Sequence, residues 1–342
     1  MKKNWWKVVL VLALTLGLLY FFFKSADWGR VWASLDDVNL PFLILAIVLA
    51  PTHLVTRSIR WKYLLQHEKE DVSFYSRFAA TSIGFAVTLT FPGRLGEVIR
   101  PLYLAQREKI SKAFTIGTVL VERIFDILTM CLLLGLFMLA KPFYASIFPI
   151  EESMNAQLTL WGTIAVSVAA GLLLVILALY FFESLTLRVL GFFLRPLPSR
   201  FREKILSLVQ EFIQGMSFFK SARTLLVYFL WSLIVWVSII FYYWIFLFVY
   251  DVHVPFFAMI PFTFLLGVGA SIPTPGMVGG FHSFSKLGLT SFFNIEVNLA
   301  MAMTIVLHAI TVVVTCLIGY AILWKEGISF FQLKKIGEES NP

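Results

Sequence analysis

The chain has 342 residues, of which 59% are hydrophobic and only 14% charged, with a net charge of +8. Soluble domains carry roughly 25% charge and 45–50% apolar residues, so a water-soluble catalytic domain is excluded along the whole length. The positive balance sits on segments between apolar runs, the pattern of cytoplasmic membrane loops and not of a nucleic-acid-binding surface.

Apolar runs of about 20 residues without period-two alternation predict membrane-spanning helices and not barrel strands. Taken in order, they are Trp5–Phe23, Pro41–Ile59, Phe114–Ala140, Leu158–Phe182, Leu225–Val249 and Leu299–Leu323. The first follows Lys2 and Lys3 and resembles a signal peptide. Its apolar stretch ends in Tyr20-Phe21-Phe22-Phe23 without a small-residue cleavage site, so it is read as an uncleaved spanning helix. Asp36 and Asp37 follow it. Membrane glycosyltransferases use such acids with a metal, but the pair lies just before Asn39-Leu40-Pro41, where a helix begins, and a helix-start role is preferred.

Two apolar regions are too long for one helix and broken near the middle. Phe74–Leu104 is interrupted at Pro92-Gly93-Arg94-Leu95-Gly96-Glu97, and Pro255–Phe293 at Pro273-Thr274-Pro275-Gly276-Met277-Val278-Gly279-Gly280. Each predicts a re-entrant hairpin of two half-helices. With six crossings, two hairpins and a cytoplasmic N-terminus, 21 of the 28 basic residues fall on cytoplasmic segments, Arg57, Arg60, Lys69, Arg107, Lys109 and Lys112 among them. Lys24, Arg30, Lys141 and Lys286 fall outside, and Arg94, Arg100 and Arg123 at membrane depth. This arrangement obeys the positive-inside rule and places both termini in the cytoplasm. The segment at about 184–223 mixes Leu, Phe and basic residues and reads as interfacial amphipathic helices or as ordinary loop chemistry. The cysteines, Cys131 and Cys316, lie inside apolar runs; no metal or disulfide spacing is present, and no cofactor is expected.

Pro92, Gly93 and Gly96 align with Pro275, Gly276 and Gly279 at one spacing. The predicted hairpins enter from opposite sides, so the units at about 41–140 and 225–324 form an inverted repeat. In such repeats substrate binds where the broken helices meet. Around the first break, Arg94, Glu97 and Arg100 form an i, i+3, i+6 stripe, and Glu122, Arg123 and Asp126 fall within the next run. Charges at this depth need partners, water or substrate. Two readings stay open and are compatible: neutralising pairs that pin hairpin to helix, or a polar cavity. In the cavity, Arg94, Arg100 and Arg123 hold a lipid phosphate, while Glu97, Glu122 and Asp126 recognise a cation or relay protons. In the second half, His282 is a candidate partner to substrate, and His282 or His308 a candidate proton-coupling residue.

Arg57-Ser58-Ile59-Arg60-Trp61-Lys62-Tyr63-Leu64-Leu65, Pro92-Gly93-Arg94-Leu95-Gly96-Glu97-Val98-Ile99-Arg100, Val121-Glu122-Arg123-Ile124-Phe125-Asp126 and Pro273-Thr274-Pro275-Gly276 occur in that order. Together they resemble the flippase-like family, the lysylphosphatidylglycerol synthase transmembrane region, also termed UPF0104. The resemblance implies an all-α integral membrane domain over 1–342 that moves anionic or aminoacylated lipids, or a lipid-linked precursor, across a bacterial inner membrane. The sequence ends at Pro342 without a soluble synthase domain, so synthase activity is not expected, and a separate lipid-modifying synthase is a candidate partner. His282 and His308 stand where the family pattern has an acid and an arginine, a departure from a lysyl-lipid substrate. The alternatives are a glycosyltransferase or headgroup transferase using Asp36, Asp37 or Glu97, and a non-catalytic partner of a synthase.

Overall fold

The computed structural model describes residues 5–24, 26–36, 38–144, 152–199, 201–203, 205–207, 209 and 222–328. Among these the chain is helical, without a strand. The elements are α1 (Trp5–Phe23), α2 (Trp28–Asp36), α3 (Leu40–Leu49), α4 (Thr52–Leu65), α5 (Phe74–Thr90), α6 (Leu95–Glu108), α7 (Lys112–Leu139), α8 (Lys141–Tyr144), α9 (Glu152–Phe181) and α10 (Glu183–Phe193). After them come α11 (Ala222–Leu247), α12 (Met259–Ser271), α13 (Gly280–Phe293) and α14 (Val297–Lys325). Part of the expected amphipathic segment at 184–223 lies outside the described residues, as does Asp37.

All six apolar runs are helical, with changed boundaries. Three stretches, Leu40–Leu65, Arg223–Tyr250 and Val297–Lys325, are long and apolar enough to cross a bilayer by length and composition, while α1, α9 and α12 contain shorter apolar helices. The second run does not stop at Ile59. It turns at Ala50-Pro51, where proline has no N–H for the helical ladder, and continues as α4 to Leu65. Arg57 and Arg60 therefore lie inside a helix, buried, and not on a cytoplasmic loop as the charge count assumed. Helix α2 was not anticipated; Asp36 ends it, and the start of α3 is capped by Asn39, whose side chain accepts from Phe42 N.

Contacts between loops sort the elements into two ends. At the basic end, Lys69 (between α4 and α5) donates to Glu108 at 2.6 Å, and Arg107 pairs with Glu326 beyond α14 at 2.5 Å. At the opposite end, Asn39 N donates to Val249 O at 2.7 Å, and Asp27 N to Asn298 Oδ1 at 2.8 Å. Helix α5 thus leaves the basic end and α6 returns to it, while α12 leaves the opposite end and α13 returns there.

Both returning pairs pack backbone on backbone. A Cβ on Gly96 would lie 1.8 Å from Gly84 O, and one on Gly280 would lie 2.3 Å from Gly269 O. Only glycine permits this approach. The turns between the paired helices share a backbone form as well. Gly93 and Arg94 have φ of 76° and 53°, and Gly276 and Met277 have 62° and 58°. The two turns touch, and a Cβ on Gly276 would sit 3.2 Å from Leu89 O at the end of α5. Helix α14 passes alongside, and Gly319 lets it lie against Ser82 and Ala86 of α5.

Candidate functional site

Where the two turns meet, the protein encloses a cavity of about 580 Å³. Its polar side chains include His53 and Arg57 of α4, Arg94 and Glu97 at the first turn, Arg123 and Asp126 of α7, and His308 of α14. The apolar remainder comes mainly from α7, α9, α11 and α12.

The charged groups separate into two kinds. One set is sealed. Arg57 donates to Asp126 Oδ2 at 2.7 Å and Arg60 to Asp126 Oδ1 at 2.7 Å, so both carboxylate oxygens are engaged. Arg60 also reaches Ser232 Oγ at 3.2 Å and Glu122 Oε1 at 3.5 Å. Arg100 donates to Glu122 Oε2 at 2.5 Å, and its guanidinium lies 4.0 Å from the centroid of the Trp61 ring. Trp61 is held in turn by its Nε1 donating to Thr118 Oγ1 at 2.9 Å. These contacts tie α4, α6, α7 and α11 together. Desolvated ions persist only when paired and hydrogen-bonded this closely.

The second set is partly open. Arg94 pairs with Glu97 at 3.2 Å, and Arg123 with Glu97 at 4.0 Å and Asp126 at 3.4 Å. The side chains of Arg94, Glu97 and Arg123 are 30%, 32% and 30% exposed, whereas Arg60 and Glu122 are fully buried. Arg94 occupies the left-handed region, uncommon for a residue with a Cβ, and this aims its Nη2 at Ala270 O of α12, 3.0 Å away. One arginine thus spans both broken pairs. The two sets together hold five arginines against three carboxylates, and the Nε groups of all five find no protein acceptor.

Of the residues singled out from sequence, Arg94, Glu97, Arg123 and Asp126 lie on the cavity wall. Arg100 and Glu122 do not; they form the buried pair behind it, and the Arg94–Glu97–Arg100 stripe is split between the two sets. His282 also lies off the wall. It packs edge-on against Phe22 at 5.1 Å and His308 at 4.6 Å. His308 is the histidine that reaches the cavity, its Nε2 donating to Gly276 O at 2.9 Å in the tautomer with the proton there. Gly93, Gly276 and Gly279 take positive φ, while Gly96 serves close packing. Pro92 and Pro275 each open a short 3-10 turn, and Pro273 stands just before the second. Sequence reasoning missed the roles of Arg57 and Arg60. Their i, i+3 spacing in a helix continuous with an apolar run was the available signal.

This fold and these buried ion pairs define an all-helical membrane protein. The sequence matches the family model of the lysylphosphatidylglycerol synthase TM region over residues 5–319, and the chain belongs to that family. A UPF0104 membrane protein of Methanocaldococcus jannaschii is 25% identical over 315 residues, covering 85% of this chain and 86% of that one.

Proposed function

We propose that the chain translocates a phosphate-bearing lipid or lipid-linked precursor across a bacterial inner membrane, its basic end facing the cytoplasm. One observation carries this reading. The cavity wall bears Arg57, Arg94 and Arg123 against Glu97 and Asp126, and Asp126 is already engaged by Arg57 and Arg60. An anion satisfies such a wall better than a cation does, and planar guanidiniums match phosphate oxygens two at a time. The headgroup contacts are therefore assigned to Arg94 and Arg123. Arg100 serves with Glu122 as a pin that keeps α6 on α7.

The two like-built broken pairs support an inverted repeat of re-entrant hairpins, with units at about 41–140 and 225–324. Movement would expose the cavity alternately to each side by rocking one unit on the other. The Arg94 bond to Ala270 O, which crosses from one unit to the other, is a contact that such a motion must exchange. Glu97, shared by two arginines, is displaced when phosphate takes its place.

The test is transport of fluorescent phosphatidic acid in liposomes. Arg94→Lys and Arg123→Lys keep the charge but lose the paired donors, so each is expected to slow transport by about tenfold or more without lowering the melting temperature. Wild-type rates in both variants would overturn the assignment.

A further inference from the structure

The charged wall occupies only part of the cavity, and the remainder has a direction. Ile127 of α7, Ile164 and Val168 of α9 and Val268 of α12 all line it, yet they are 45%, 53%, 45% and 39% exposed. A side chain that faces both an internal space and the outside marks a mouth. Behind these four, Met130, Cys131 and Ala165 are buried and continue the same apolar wall inward toward Arg123 and Asp126.

The depth of this mouth decides what it faces. Ile127 stands 15 residues into α7 and Val168 16 residues into α9, which at the helical rise is about 22–24 Å from the start of either helix. Both helices run on for a further 12–13 residues, roughly 18–20 Å. The opening therefore lies near the middle of the hydrocarbon layer and at neither aqueous end. Toward the opposite end the gap between α7 and α12 is shut by aromatic contacts: Phe137 stacks on Tyr144 at 4.7 Å, and Tyr144 meets Phe257 at 5.1 Å. Buried Leu134 and Leu158 complete that seal.

We propose that this gap is a lateral portal. The lipid enters sideways between α7, α9 and α12, its phosphate passing to Arg94 and Arg123 while its hydrocarbon chains stay at Ile127, Ile164, Val168 and Val268 and project into the bilayer. The proposal rests on the anion-site reading above and adds to it the route and the requirement for a chain. A free, water-soluble phosphate ester would occupy the arginines without touching the portal.

The experiment compares two probes on the purified full chain in detergent by calorimetry: sn-glycerol 3-phosphate, which is headgroup alone, and dioleoyl phosphatidic acid. On the wild type, phosphatidic acid is expected to bind at least tenfold more tightly. Ile164→Trp with Val168→Trp fills the mouth with side chains that already face outward, so the melting temperature should hold. This variant is expected to lose the advantage of phosphatidic acid while its affinity for glycerol phosphate stays within twofold of wild type. Undiminished phosphatidic acid binding by the variant would overturn the portal alone. So would equal affinity of the wild type for both probes, or loss of both probes in a variant of unchanged melting temperature. If neither probe binds the wild type, the anion-site reading falls and the portal with it.

Discussion

Arg94 and Arg100 are six residues apart on one short segment, and the same substitution at each should have opposite consequences. In Arg100→Gln, the fully buried Glu122 loses its contacts at 2.5 and 3.4 Å and keeps only Arg60 at 3.5 Å, while Trp61 loses the guanidinium stacked 4.0 Å away. Removing one partner of a buried pair costs about 3–5 kcal/mol, and a desolvated cation–π contact adds up to about 2 kcal/mol. Breaking the pair alone thus shifts the folding equilibrium by roughly two to three and a half powers of ten. In Arg94→Gln, the losses are the hydrogen bond to Ala270 O and the pair with a partly exposed Glu97 that retains Arg123, a type of pair worth about 0.2–1 kcal/mol. Unfolding titrations in mixed micelles should show a large loss for Arg100→Gln and little for Arg94→Gln. Liposome transport per folded molecule should fail only in Arg94→Gln. Equal destabilisation by the two substitutions would refute the division into a sealed set and an open one.

Gly96→Ala places a methyl 1.8 Å from Gly84 O, 2.4 Å from Thr88 Oγ1 and 2.7 Å from Thr88 N, all but one of them main-chain atoms that cannot rotate away. Overpacking costs about 1–3 kcal/mol where neighbours can shift; here the α5–α6 pair should separate, lowering the melting temperature in detergent more than Gly171→Ala, where nothing lies within 4 Å. At the basic end, burial raises the pKa of Glu108, but hydrogen bonds from Lys69 and Ser76 outweigh it and hold the carboxyl below its ordinary 4.5. A depressed carboxylate contributes stability above its unfolded pKa and loses it as pH falls through the folded one. The melting-temperature gap between wild type and Glu108→Gln should therefore be present at pH 7, narrow once the pH drops under 4.5, and close as it falls through the lowered folded-state pKa. A gap constant from pH 7 to pH 3 would show that the Lys69 pair contributes nothing.

The helices, their apolar character and both Pro-Gly breaks were legible because each is local. A run of 20 apolar residues has few ways to satisfy its backbone in hydrocarbon except as a helix, and a Pro followed by Gly interrupts that helix wherever it occurs. Family membership was likewise carried by short ordered motifs. The segment Trp28–Asp36 escaped because its amphipathic residues form too short a stretch to register as an apolar run.

The sequence by itself marked Arg94, Glu97, Arg100, Glu122, Arg123 and Asp126 as charges set within apolar regions and in need of partners. Tertiary structure alone decided which of them face open space. Arg57 and Arg60 meet Asp126 at sequence separations of 69 and 66, and Arg94 meets Ala270 at a separation of 176. Nothing in local spacing encodes those partners. An arginine sealed against two carboxylates and an arginine on a cavity wall are the same residue type; only the packing of separate helices around each one decides whether its charge is neutralised inside the protein or faces open space.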